Sequence, residues 1–212
     1  MNSWLCISPS TPRATLILAH GAGAPMDSPF MAFLCDALAG VGIATVRFEF
    51  PYMAQRREGG MKRPPDRQTK LLECWRDTYR KIRRHSPDAG LWIGGKSMGG
   101  RMATLVAEEL RPEGFCCFGF PFFPPGKPQN DMRTAHFAEI KIPGLILQCT
   151  RDRFGGKDEV NDSVWPANIQ LRWLEEADHD FKPRKSSGLT QQQIIQFAAH
   201  QVADFIDTTR NA

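Results

Sequence analysis

The stretch Leu91-Trp92-Ile93-Gly94-Gly95-Lys96-Ser97-Met98-Gly99-Gly100-Arg101 decides how the rest of the chain is read. Three apolar residues give a short buried strand, Gly95-x-Ser97-x-Gly99 follows, and Ala103, Leu105, Val106 and Leu110 supply the apolar side of a helix over 97–110. A serine at a sharp strand-to-helix turn needs neighbours without bulk, because strand and helix pass close together and the serine backbone is strained. The turn pushes the Ser97 hydroxyl out at the C-terminal edge of a sheet, above the positive end of the helix dipole.

The letters Gly90-x-x-x-x-Gly95-Lys96-Ser97 also spell a phosphate-binding loop. That loop must be glycine-rich and must follow a strand. Here Leu91, Trp92 and Ile93 are better used as the strand itself, and the residues before them form a charged helical stretch ending near His85. The strand–serine–helix reading is preferred.

The flanking segments fit the same plan. Ala14–Ala19 is almost continuously apolar, the pattern of a central parallel strand covered on both faces. It runs into His20-Gly21-Ala22-Gly23-Ala24, where open α/β sheets hold their ligands. Further strands are expected at Ser3–Ile7, Val41–Phe48, Phe115–Phe120 and Gly144–Thr150. Ile169, Leu171 and Trp173 alternate with polar residues, as on a strand near the sheet edge. Cys116 and Cys117 are adjacent, and both can face a core only if the sheet is covered on each side. Helices are expected after the Ser28-Pro29 start signal, over Arg67–Arg84, and after the capping box Thr190-x-x-Gln193. This alternation predicts one doubly wound α/β domain over residues 1–212, a three-layer sandwich with a mostly parallel sheet and minimal or no cap. An irregular basic insertion near residues 50–66 breaks the pattern. It is either a solvated surface loop or a flap at the site, whose arginines would then favour an acidic substrate.

Composition narrows the function classes. The chain has 212 residues and a formal net charge of +4 from 27 basic and 23 acidic side chains, which gives no reason to expect nucleic-acid binding. The most apolar stretch, Gly114–Pro125, is too short to span a bilayer, so no membrane insertion is expected. Residues 1–10 do not resemble a signal peptide, and the scattered cysteines suit free thiols. The expected compartment is the cytoplasm.

A serine hydroxyl attacks a carbonyl only when an imidazole takes its proton and a carboxylate orients that imidazole. Asp152, just past a strand, and His179, in a late loop, follow Ser97 in the order nucleophile, acid, base. Asp158, Asp178 and Asp180 compete for the acid role but are less well placed to reach across the sheet. Backbone N–H groups are required for the oxyanion. Met98 is one donor, and Ala22 is preferred for the second, with Gly23 as the alternative. His20 is read as an anchor for its loop, Tyr52, Phe122 and Phe123 as possible pocket residues, and Lys96 as solvent-facing.

The motifs His20-Gly-Ala-Gly, Phe48-Glu-Phe-Pro-Tyr52, Gly94-Gly-Lys-Ser-Met-Gly-Gly-Arg101, Thr150-Arg-Asp-Arg-Phe-Gly155 and Asp178-His-Asp-Phe-Lys182 resemble those of the α/β-hydrolase superfamily. They are particularly similar to those of compact, cap-less predicted hydrolases related to the testis-expressed hydrolase-like proteins and to the hydrolase-like domain of an NSL complex subunit. The resemblance spans about residues 14–206. It implies Ser97, Asp152 and His179 as a triad. The chemistry read for these residues needs no cofactor and no metal. The expected activity is hydrolysis of a small carboxylic ester or thioester. A non-catalytic binding or scaffold protein on the same fold is the rival reading.

Overall fold

The computed structural model describes residues 4–86, 89–124, 132–163 and 165–211. Seven strands, β1 (Leu5–Ile7), β2 (Ala14–Ala19), β3 (Ile43–Phe48), β4 (Leu91–Lys96), β5 (Gly114–Phe118), β6 (Gly144–Cys149) and β7 (Ile169–Leu174), form one sheet in the order β1-β3-β2-β4-β5-β6-β7. Only β1 runs antiparallel to its neighbour; the other pairs are parallel. Ser3, where the first strand was expected to begin, lies outside the described residues, as do Pro125 and Gly126.

Five helices, α1 (Pro29–Gly40), α2 (Pro51–Arg57), α3 (Gln68–His85), α4 (Met98–Leu110) and α5 (Gln191–Arg210), cover the two faces. Alternation along each strand divides its side chains between two cores. Leu16 and Leu18 of β2 and Cys116 and Phe118 of β5 pack with α1 and α5. Ile17, Ala19, Phe115 and Cys117 pack with α2, α3 and α4. Both adjacent cysteines are fully buried, as expected of a sheet covered on both sides. The result is a three-layer, mostly parallel α/β sandwich, and among the described residues there is no helical cap over the C-terminal strand ends.

Two local expectations need correction. The stretch read as irregular begins with a helix, α2, started by Pro51 at its first turn; only residues 58–67 lack regular structure. Two of its four basic side chains are also tied to other groups. Arg57 is bound to Asp27 and Glu49, and Arg63 to Asp66 and Gln55. Phe122 and Phe123 belong to the core rather than to a pocket. Phe122 stacks on Trp165 and contacts Phe120, whose ring meets Phe137. A phenylalanine pair after a strand satisfies the aromatic core beneath the loop as readily as a substrate wall.

Residue environments set the stability scale. Trp75 of α3 is fully buried and meets Phe48 edge-on at 4.7 Å. Trp75→Ala is expected to cost about 3–5 kcal/mol. Loss of the exposed Thr190–Gln193 capping box in Thr190→Ala is expected to cost about 1 kcal/mol. Urea unfolding of the two variants should give that order; equal losses would contradict the core assignment.

Candidate active site

The site is built where the sheet changes direction. From β2 the chain passes to β3 on one side, then returns to place β4 on the other, which opens a crevice beyond the C-terminal ends of β2 and β4. Ser97 caps α4 there with φ 51° and ψ −117°, a conformation disfavoured for a residue with a side chain. Ser97 N–H donates to Phe118 O at 3.0 Å, and Arg101 N–H donates to Ser97 O at 3.0 Å, so sheet and helix both hold the strained residue. The flanking glycines are required by close approach. A Cβ on Gly95 would lie 2.3 Å from Ala19 O, and one on Gly99 would lie 2.4 Å from the same oxygen.

Three loops bring their side chains to one line. His179 Nε2 is 3.0 Å from Ser97 Oγ, and His179 Nδ1 is 2.7 Å from Asp152 Oδ2. Asp152 is 2% exposed, and its other oxygen accepts the Phe154 N–H at 2.8 Å. A carboxylate that only accepts fixes the proton on His179 Nδ1, which leaves Nε2 free to accept from the serine hydroxyl. The Phe154 ring meets the imidazole edge-on at 4.6 Å and shields one side of it.

The competing acids do other work. Asp178 Oδ1 accepts the N–H groups of Asp180 and Lys182, which closes the turn carrying His179. Asp158 is exposed. Of the other histidines, His85 bonds Lys81 O, His136 meets the Thr104 hydroxyl at 2.9 Å, and His200 lies exposed on α5.

The small-residue loop after β2 is held from behind. Phe50 N–H donates to His20 Nε2 at 3.1 Å, so that nitrogen carries no proton and Nδ1–H donates to Gly21 O at 2.7 Å. Tyr52 hydroxyl donates to Ala22 O at 2.9 Å. A trans peptide sends its N–H opposite to its C=O, so the Ala22 and Gly23 N–H groups face away from these two anchors. The Met98 N–H, at the first position of α4, has no acceptor within its own helix.

Ser97 and His179 open on a cleft of about 360 Å³, walled by the Gly21–Ala24 loop, Phe30, Met31, Arg153 and Phe154. His20, Tyr52, Phe122 and Phe123 do not line it. His20 and Tyr52 act from the layer behind, and the two phenylalanines lie in the core. Among the described residues no group of three or more His, Cys, Asp and Glu side chains is gathered to hold a metal ion.

Three neighbours escaped the reading of the sequence. Lys96, expected in solvent, is 7% exposed, and its Nζ donates to His179 O at 2.7 Å. Burial lowers its pKa to about 8, against the raising influence of Asp152 and Asp180. The signal was strand alternation: Lys96 shares the face of Trp92, which is buried against α5. Gln148, the one polar residue in Gly144–Cys149, is fully buried and bonds Phe120 O and Gly155 O, tying the Asp152 loop to the loop after β5. Phe154 carried no signal, because its contribution to Asp152 is a backbone N–H.

Residues 12–207 match the family described as an alpha/beta hydrolase domain, and the chain belongs to that family. Solved structures agree in fold. An alpha-beta serine hydrolase homologue from Coxiella burnetii is similar at 19% identity and TM-score 0.70, over 92% of this chain and 90% of that one. XC6422 from Xanthomonas campestris, a serine hydrolase described as without lid, is similar at 18% identity and TM-score 0.67, over 93% and 88%. Est1E from Butyrivibrio proteoclasticus, solved with ferulic acid bound, is similar at 15% identity and TM-score 0.67, over 95% of each chain. Among the described residues no helix is long and apolar enough to cross a membrane.

The buried anchor of the small-residue loop gives a pH prediction. Desolvation lowers the His20 pKa, so the folded state resists its protonation. The stability that neutral His20 lends the loop is complete above the ordinary histidine pKa of about 6.5 and is lost as pH falls below it. Hydrogen exchange at the Phe50 amide, which His20 Nε2 holds, should lose protection on acidification through that range once corrected for the intrinsic rate. Constant protection would contradict the assignment.

Proposed function

We propose that the chain is a serine hydrolase that cleaves a small carboxylic ester or thioester through an acyl-enzyme. The observation that carries this reading is the continuous hydrogen-bonded line from Ser97 Oγ through His179 to Asp152, at 3.0 and 2.7 Å. Ser97 Oγ adds to the substrate carbonyl carbon while its proton passes to His179 Nε2. Asp152 stabilises the imidazolium that results. The carbonyl oxygen, now an anion, accepts from Met98 N–H and from Ala22 N–H, with Gly23 N–H as the alternative donor. Collapse expels the alcohol or thiol, which takes the proton back from Nε2. Water then adds to the acyl-serine with His179 again accepting a proton, and the carboxylic acid leaves as Ser97 is restored.

The uncapped cleft suits a compact acyl group better than a long lipid chain. We place the whole of residues 1–212 in one hydrolase domain acting in the cytoplasm, without cofactor or metal. The narrower kinship with the testis-expressed hydrolase-like proteins and the NSL complex subunit domain rests on the five motifs and belongs to the same proposal.

Labelling with a fluorophosphonate at neutral pH tests the reading. The native protein should label, Ser97→Ala should not, and His179→Ala should label about 10²–10⁴-fold more slowly. A folded native protein that does not label would favour the scaffold reading. Labelling that survives Ser97→Ala would overturn the nucleophile.

A further inference from the structure

Lys96 is a buried charged residue beside this site whose chemistry the mechanism above does not use. Its ammonium lies 5.5 Å from the Phe30 ring centre and 5.8 Å from that of Phe181, between α1 and the turn after β7. A methionine would fill the same space without burying a charge, and buried charges are costly to keep. What the charge touches is the backbone of the base. We propose that Lys96 is a positioning residue for the reaction: its buried ammonium, anchored on the His179 carbonyl, holds the turn where the imidazole reaches Ser97 and Asp152 together. The inference rests on the roles proposed above for those three residues.

The turn needs such a hold. Glu176 and Phe181 have φ of 61° and 63°, so two side-chain-bearing residues that bracket His179 sit in left-handed conformations. Asp178 closes the turn on itself, and Arg151 N–H reaches Ala177 O. The bond from Lys96 comes from outside the turn and takes the carbonyl of the His179–Asp180 peptide, whose N–H Asp178 already holds. It also links β4, which carries the nucleophile at its end, to the loop that carries the base. The α-carbon of Gly119 leaves room for this meeting: a Cβ there would lie 3.0 Å from Lys96 Nζ, 3.4 Å from His179 O and 3.5 Å from Asp152 Oδ2.

The hold depends on a proton. The groups facing the ammonium are Cys149 of β6, Asp152 of the loop after it, and Asp178, His179 and Asp180 of the turn, with the rings of Phe30 and Phe181. Lys96 sheds its proton at about pH 8, and the charge-assisted bond to His179 O then becomes a weaker neutral one. Reaction at Ser97 should therefore decline as pH rises through that value.

The test compares the native protein with Lys96→Met by three readouts: the rate constant and reversible affinity of fluorophosphonate reaction across pH, the Tm, and the low-field NMR resonance of the His179 Nδ1 proton. The variant is expected to keep or raise its Tm and to keep its reversible affinity. Its rate constant should fall about 10- to 100-fold, without the decline near pH 8, and its low-field resonance should broaden. A purely structural lysine would lower Tm and leave the rate of the folded fraction and its pH limb alone; that result overturns the proposal. Lys96→Gln, which keeps a donor without charge, carries the same measurements if Lys96→Met does not fold. If the native protein fails to label, the serine hydrolase reading fails, and the resonance decides the positioning role alone: unchanged in the variant, it overturns the role.

Discussion

Close approach of three backbones, at the end of β2, near the end of β4 and at the start of α4, is the constraint on which the structure depends. Ala19 O lies where a Cβ on either Gly95 or Gly99 would collide with it, at 2.3 and 2.4 Å. Only with those side chains missing can Ser97 take φ 51° at the apex. Such a conformation costs on the order of 1–3 kcal/mol and persists because its surroundings over-determine it. The sheet supplies part of that support through Phe118 O, and the helix supplies part through Arg101 N–H. Strain, close packing and exposure of the hydroxyl are one feature seen from three sides.

Around this apex, polar groups are fixed by partners that face away from the cleft. His20 and Tyr52 hold the carbonyl oxygens of the loop after β2 from the rear. Phe154 N–H holds Asp152, and Gln148 ties that loop to its neighbour. Arg57, bound to both Asp27 and Glu49, braces α2 against the far end of the small-residue loop. Apart from the exposed Arg57 pairs, each support is a backbone or buried side-chain contact, the preorganisation that the proposed mechanism requires.

The parts legible in the sequence were those with a periodic or steric cause. Continuous apolar runs marked β2, β4, β5 and β6, alternation marked the edge strand β7, and the Gly-x-Ser-x-Gly spacing marked the apex. The meeting of Ser97, Asp152 and His179 followed from strand order, because residues at the C-terminal ends of parallel strands share one edge. Harder cases were set by partners distant in the chain. The basic segment near residues 50–66 looked loop-like because the acids that pair with Arg57 lie 30 and 8 residues away. Lys96 looked exposed because lysine usually is, although its strand parity with Trp92 turned it inward. Phe122 and Phe123 could not be divided between core and pocket by hydrophobicity alone.

Covalent attack by Ser97 is the central claim, and intact-mass spectrometry of acid-quenched protein during turnover of a p-nitrophenyl ester tests it most directly. An acyl adduct is expected on the native protein, mapping to the Ser97 peptide and absent from Ser97→Ala. Steady turnover with no adduct, or with an adduct on another residue, would contradict it.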